Sequence, residues 1–205
     1  MILRDDFIAT SDQTGRTMNT SRSNRVLLFS GHMIDAPNRE SPRFPPELEP
    51  AVAKAIHDEI DALDTSASDI AISSGACGSD ILFAEDVLAR GIALRMHLPF
   101  SEAEFIDKSV SFADADWTGR FANVASRAQR FIATEIPGDT SAGEDPYERT
   151  NIRMLDEALS LGGSDVVLIC VWNGQGGDGP GGTKHMVETV RAKGGEVRWI
   201  DIRRL

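Results

Sequence analysis

Short apolar runs, each stopped by glycine, proline or a polar turn, alternate along this chain with segments of helical period, and that alternation constrains the fold most. The clearest run is Asp165 to Val171, whose Val-Val-Leu-Ile-Cys-Val core has no polar residue to turn toward water. A strand apolar on both faces must be covered on both faces, which is the condition of a central strand in a parallel sheet. Val26-Leu27-Leu28-Phe29-Ser30, ending at Gly31, reads the same way. So do Asp69-Ile70-Ala71-Ile72-Ser73 and Ile92 to Leu98, the latter stopped by Pro99. Glu196 to Asp201 supplies a final strand.

Between the strands lie helical patterns. Leu48, Val52, Ala55, Ile56, Ile60 and Leu63 recur at helical spacing after the proline-rich loop Pro37 to Pro46. Ile81, Ala84, Glu85 and Leu88 mark a helix closed by Gly91. Ser101 to Arg130 reads as helical throughout, Ala142 to Pro146 as a turn-rich break, and Ile152, Leu155 and Leu159 as a helix ending at Gly162-Gly163. Met186, Val187 and Val190 mark the last helix. The expected fold is α/β: a Rossmann-like, doubly wound parallel sheet of about five strands with helices on both faces. Right-handed crossovers give the order 3-2-1-4-5, and the ligand crevice then lies where the first and fourth strands part.

Composition narrows the function classes. The 205 residues carry a net charge of −11, which on average repels polymeric nucleic acid, whose binding rests on Lys and Arg neutralising phosphates. A small anion remains admissible, because backbone amides can hold it inside an acidic protein. No apolar run approaches the roughly 18 residues a membrane span needs, so no membrane partner is expected. Cys77 and Cys170 are far apart and in no metal-like spacing, which points to a reducing, cytoplasmic setting. Residues 1–24 are polar and read as an N-terminal extension, leaving 25–205 as one domain.

Two glycine loops stand between a strand and a helix. The first is Ser73-Ser74-Gly75-Ala76-Cys77-Gly78-Ser79-Asp80, and the second is Gly179-Pro180-Gly181-Gly182-Thr183, with Glu188 downstream. Small residues allow close backbone approach, and a helix start offers unpaired N–H groups to an anion. The bland alternatives are tight turns, with Asp80 and Thr183 acting as helix caps. His32, just after the first strand, faces the crevice in this scheme, though loop histidines are commonly structural. Asn151 and Arg153 sit near a helix start beside the sheet end, where Arg suits a phosphate clamp or a salt bridge to Asp156 or Glu157. Trp172 can stack on a base or cover the core, and Lys184 and His185 can face ligand or solvent. Cys77 has a helix start beside it but no nameable base, so it reads as a small packing residue.

At these residues the chain resembles the SLOG superfamily. Ile72-Ser73-Ser74-Gly75-Ala76-Cys77-Gly78-Ser79-Asp80 is similar to the "SGxAxGID" turn of the DNA-processing protein A family, and Glu148 to Leu155 to its "RNR-I-I" helix start. Pro180-Gly181-Gly182-Thr183 with Glu188 resembles the "PGGxGTxxE" signature of the LOG-type phosphoribohydrolases (the lysine-decarboxylase-like proteins). Lys184 and His185 replace that signature's second glycine and threonine, and Val187 precedes Glu188 where it has a second acid. The resemblance implies a nucleotide-derived ligand held by both loops; with the candidates read from position, the expected site for a phosphate-bearing ligand is Gly31, His32, Ser74, Gly75, Ala76, Gly78, Asp80, Asn151, Arg153, Trp172, Gly181, Gly182, Thr183 and Glu188. A binding or sensing domain is the leading expectation, and the substitutions in the LOG signature favour it. The rival is an N-glycosidase releasing free base, with Glu188 and Arg153 catalytic, and a third reading is single-strand DNA binding. No cofactor or metal is expected. A second copy of the chain or an effector protein stays open as partner.

Overall fold

A computed structural model describes residues 24–113, 116–135, 145–176 and 182–205. Residues 1–24 were read as an extension; of these only Asn24 falls within the described residues.

Six parallel strands form one sheet: β1 (Val26–Gly31), β2 (Ile70–Ser73), β3 (Ala93–Leu98), β4 (Gln129–Ile132), β5 (Val166–Trp172) and β6 (Glu196–Asp201), in the order β4-β3-β2-β1-β5-β6. β1 is central, with Val26 in register with both Ile70 and Val166. The five expected strands take the expected order, and β4 adds a sixth at the edge. It was hidden inside a stretch read as helical, because Gln-Arg-Phe-Ile is short, exposed in its first half and preceded by a real helix. Ser101 to Arg130 therefore divides into α3 (Glu102–Ser109), α4 (Trp117–Arg127) and the first residues of β4.

The remaining helices are α1 (Glu49–Asp61), α2 (Ser79–Ala89), α5 (Pro146–Gly162) and α6 (Thr183–Ala192). Alternation along β1 splits the core in two. Leu27 and Phe29 pack with α1 to α4, whereas Val26 and Leu28 pack with Met154, Leu155 and Met186 of α5 and α6. β5 divides likewise, Val167, Ile169 and Val171 to one side, Val166, Leu168 and Cys170 to the other. Its continuous apolar sequence is thus two interleaved faces, each buried, which is what double winding demands. Among the described residues no helix is long and apolar enough to cross a membrane.

Because every strand runs the same way, the segments following β1, β2, β3 and β5 all emerge at one sheet edge. Gly75 and Gly182 therefore lie at the same end.

Candidate functional site

A cavity of about 190 Å³ opens at that edge beneath α5. Ser30 and Gly31 from β1, Ser74, Ala76 and Asp80 from the first glycine loop, and Thr150 and Asn151 from α5 form its polar wall. Phe29, Phe105 and Met154 are among its apolar groups.

The first loop is shaped by its own acid. Asp80 lies in the first turn of α2, and its Oδ2 accepts from the Ser74 hydroxyl and from the Ala76 amide at 3.3 Å, with the Gly75 amide also bonded to the carboxylate. Asp80 is 7% exposed, and burial pushes its carboxyl up to about 6 despite those donors. Amides expected to face a phosphate are thus turned to a side-chain carboxylate. That is close to the capping alternative, with the acid inside the helix rather than at the cap position, which Gly78 occupies.

Gly31 and Gly78 serve close packing. Met33 bridges to Gly78, the Ile34 amide donates to the Cys77 carbonyl at 3.1 Å, and the Ser79 hydroxyl donates to the His32 carbonyl at 2.7 Å. A Cβ on Gly78, whose φ is +98°, would stand 2.4 Å from the Ile34 nitrogen, and one on Gly31 2.2 Å from Ser79 Oγ. The segment after β1 is therefore stitched across the start of α2. Neither Gly75 nor Gly78 lines the cavity.

His32 turns away from it. Its Nε2 accepts from the Asn173 amide at 3.3 Å, and burial, chiefly, holds its pKa below the usual histidine value. Neutral imidazole with Nε2 as acceptor places the proton on Nδ1, an assignment made from that hydrogen bond. That hydrogen bond ties the ends of β1 and β5 together.

The second loop is reached only at its end. Gly179, Pro180 and Gly181 lie outside the described residues. Gly182 holds the N-cap position of α6 with φ −66° and ψ 161° and, as glycine, offers no capping side chain of its own. Thr183 Oγ1 lies 3.0 Å from Ser30 Oγ, which joins the start of α6 to the cavity wall.

On α5 the 3.6-residue period decides who faces inward. Tyr147, Thr150, Asn151 and Met154 share the cavity face, with the Tyr147 hydroxyl 3.0 Å from Ser109 Oγ. Thr150 is 4% exposed, and its Oγ1 has no hydrogen-bond partner among the described residues. Arg153 sits on another face, in an outer groove with Arg149, Asp156 and Glu157. Glu157 pairs there with Arg95 and with His97 Nε2, the latter at 2.5 Å. Trp172 is also elsewhere: its indole N–H donates to the Gln175 carbonyl and its ring packs 5.8 Å from that of Trp199. Glu188 is exposed on α6 and does not line the cavity. Cys77 is buried, its thiol pushed up to about 12 mainly by burial, so it is no nucleophile.

Ser30, Ser109, Tyr147 and Thr150 were missed in sequence. For the α5 residues a signal existed: once Asn151 is taken as facing the crevice, positions 147, 150 and 154 follow from helical spacing. Ser109 carried none, because it arrives from a helix remote in sequence. Among the described residues no group of three or more His, Cys, Asp or Glu is arranged to hold a metal ion.

No family model matches the sequence, and no curated protein matches it. Among solved structures the chain is similar to DNA processing protein A from Streptococcus pneumoniae, at a TM-score of 0.45 and 13% identity over 86% of this chain and 50% of that one. The chain thus spans about half the length of that structure. What stands established is architectural: an α/β protein whose six-stranded parallel sheet is wound on both faces and opens a polar cavity at its C-terminal edge.

Proposed function

We propose that the chain binds a nucleotide-type small molecule as a binding or sensing domain. The sugar or base lies in the cavity between β1, the first glycine loop and α5, and the phosphate lies toward the start of α6. The observation that carries this reading is the cavity's polar wall, where Thr150 Oγ1, buried and unpartnered among the described residues, stands with Asn151 and the buried Asp80. A buried carboxylate so placed suits a ligand that brings hydroxyl or N–H donors. Thr150 Oγ1, without a partner among the described residues, and the Asn151 amide supply complementary polar contacts.

Phosphate is ill suited to the cavity itself, where it would meet Asp80. The start of α6 is the better place, because the positive end of the helix dipole favours an anion there. The Ser30–Thr183 contact makes the two regions adjacent. A volume of about 190 Å³ is below the roughly 300 Å³ at which ordinary ligand pockets begin, so a nucleotide would be enclosed only in part.

The N-glycosidase alternative has less support, since neither Glu188 nor Arg153 lines the cavity. The net charge of −11 continues to weigh against single-strand DNA. The test is a thermal-shift series with nucleoside monophosphates, the matching nucleosides, ribose 5-phosphate and inorganic phosphate. Monophosphates are expected to stabilise most, by about 2.7 kcal/mol at 100 times the dissociation constant. Absence of any shift at ligand near 1 mM, where even a weak site of about 4 kcal/mol would respond, sinks the reading.

A further inference from the structure

One residue marks the mouth of the cavity beneath α5. Every other described residue lining it is buried or half-buried, whereas Tyr147 is 39% exposed. Scattered apolar groups on a surface carry no message, but an aromatic ring left in water on the rim of a concave polar site does.

Local structure holds that ring in place. Asp145 caps α5 by accepting from the Tyr147 amide at 2.8 Å, and Pro146 fills the first helical position, so the helix start sets where Tyr147 stands. The Tyr147 hydroxyl lies 3.0 Å from Oγ of Ser109, the last residue of α3. Ser109 is itself anchored, its carbonyl accepting from the Cys77 amide at 2.9 Å. The ring meets Phe100 edge to face, with centroids 5.3 Å apart and planes at 84°. Phe100 in turn carries the Lys108 ammonium 4.4 Å from its centroid. Tyr147 thus reaches from α5 to α3 along the rim, pinned at its hydroxyl and backed at its ring. A contact group fixed in this way loses little entropy on binding.

The sheet order gives the cavity a direction. Ser30 of β1 touches Thr183 at the start of α6, the helix that follows β5. Ser109 meets the loop that follows β2, and β2 and β5 lie on opposite sides of β1. The start of α6 and Tyr147 therefore flank the cavity toward β5 and toward β2 respectively. At about 190 Å³ the cavity is smaller than the roughly 300 Å³ at which ordinary ligand pockets begin, so only part of a nucleotide is enclosed. Ser30, Ser74 and Asn151, half-buried on its wall, suit the hydroxyls of a pentose. A pentose inside leaves the base at the rim.

We infer that Tyr147 is the base-stacking residue of this site, an assignment that rests on the nucleotide reading above. The pentose occupies the cavity, the phosphate points toward α6, and the base lies on the Tyr147 ring on the β2 side. Stacking accepts any planar base, so this contact raises affinity for the base-bearing ligand without choosing among bases.

The test sets adenosine monophosphate against ribose 5-phosphate, which keeps the phosphate and pentose and lacks the base, in calorimetric titrations. The parent protein is expected to bind the nucleotide about tenfold more tightly, the scale of one stacked base. Tyr147→Phe keeps the ring and should retain most of that margin. Tyr147→Leu removes the ring and should erase the margin while leaving ribose 5-phosphate binding unchanged. A second readout needs no variant: Tyr147 is the chain's single tyrosine, so ring-labelled tyrosine gives one set of NMR signals. Adenosine monophosphate should move those signals upfield through the ring current of its base, and ribose 5-phosphate should not. Equal affinity of the parent for both ligands, equal weakening of both by Tyr147→Leu, or ring signals that the nucleotide leaves in place overturns the assignment, while the nucleotide reading stands. No binding of either ligand by the parent overturns both.

Discussion

The two glycine loops look alike in sequence, each a run of small residues between a strand and a helix, yet the first loop and the described end of the second, Gly182 and Thr183, are built differently. In the first, Asp80 reaches back to Ser74, Gly75 and Ala76, and the segment Gly31 to Ile34 is laid across the helix start. Its amides and its glycine at 78 are committed to the fold. In the second, Gly182 has ordinary extended torsions and stands as the N-cap residue of α6. Glycine richness alone therefore does not mark an anion site.

The sharpest break of this contrast is at Gly78. Gly78→Ala adds a Cβ 2.4 Å from the Ile34 nitrogen at a φ of +98°, and both faults are backbone faults that no rotamer relieves. Strain and overpacking together should lower unfolding free energy by about 4 kcal/mol, read in urea melts. A loss below about 1 kcal/mol would show that the strap is not clamped on the loop.

Next in size is the pH response of Asp80. Its folded pKa of about 6 stands above the usual carboxylate value near 3.9, so the native state binds the extra proton between those limits. Stability from this group is therefore present at the acid end and lost as pH rises through about 6, by up to about 3 kcal/mol. Asp80→Asn should lack that decline. The difference between parent and variant isolates it from acids of opposite sign such as Asp201, held near 2 by Arg203. Parallel pH–stability curves would contradict it.

Gly182→Val sharpens the other side. With φ at −66°, valine incurs no left-handed strain, and the expected loss is about 1 kcal/mol for a poorer helix cap. The nucleotide-induced thermal shift should nonetheless disappear, because the branched side chain crowds the approach to the α6 amides. A retained shift would remove the phosphate from this loop.

The smallest effect belongs to Glu188→Gln. Glu188 is exposed and away from the cavity, so stability should stay within about 0.5 kcal/mol and nucleotide binding should hold. Collapse of binding would return Glu188 to the site and revive the hydrolase alternative.

Sequence and structure agree where the physics is local or periodic. The unbroken apolar runs of β1 and β5 required cover on both faces, and right-handed crossovers then placed both glycine loops at one edge. β4 escaped because four residues at a sheet edge, two of them polar, carry neither period nor apolar excess. The site is another matter. At Gly75, Gly78, His32 and Asp80 the sequence marks unusual residues, but it does not say whether ligand or protein occupies their hydrogen bonds.

By itself, then, the sequence determined the parallel α/β architecture, the order of five strands and the end of the sheet where the loops gather. These follow from hydrophobic period and chain chirality, which neighbouring residues carry with them. Only the tertiary structure decided that Asp80 fills its own loop, that Tyr147, Thr150 and Asn151 face the cavity while Arg153 does not, and that Glu188 points to water. Those outcomes depend on which donors and acceptors, distant in sequence, meet within about 3 Å, and hydrogen bonds of that range are settled by packing rather than by pattern.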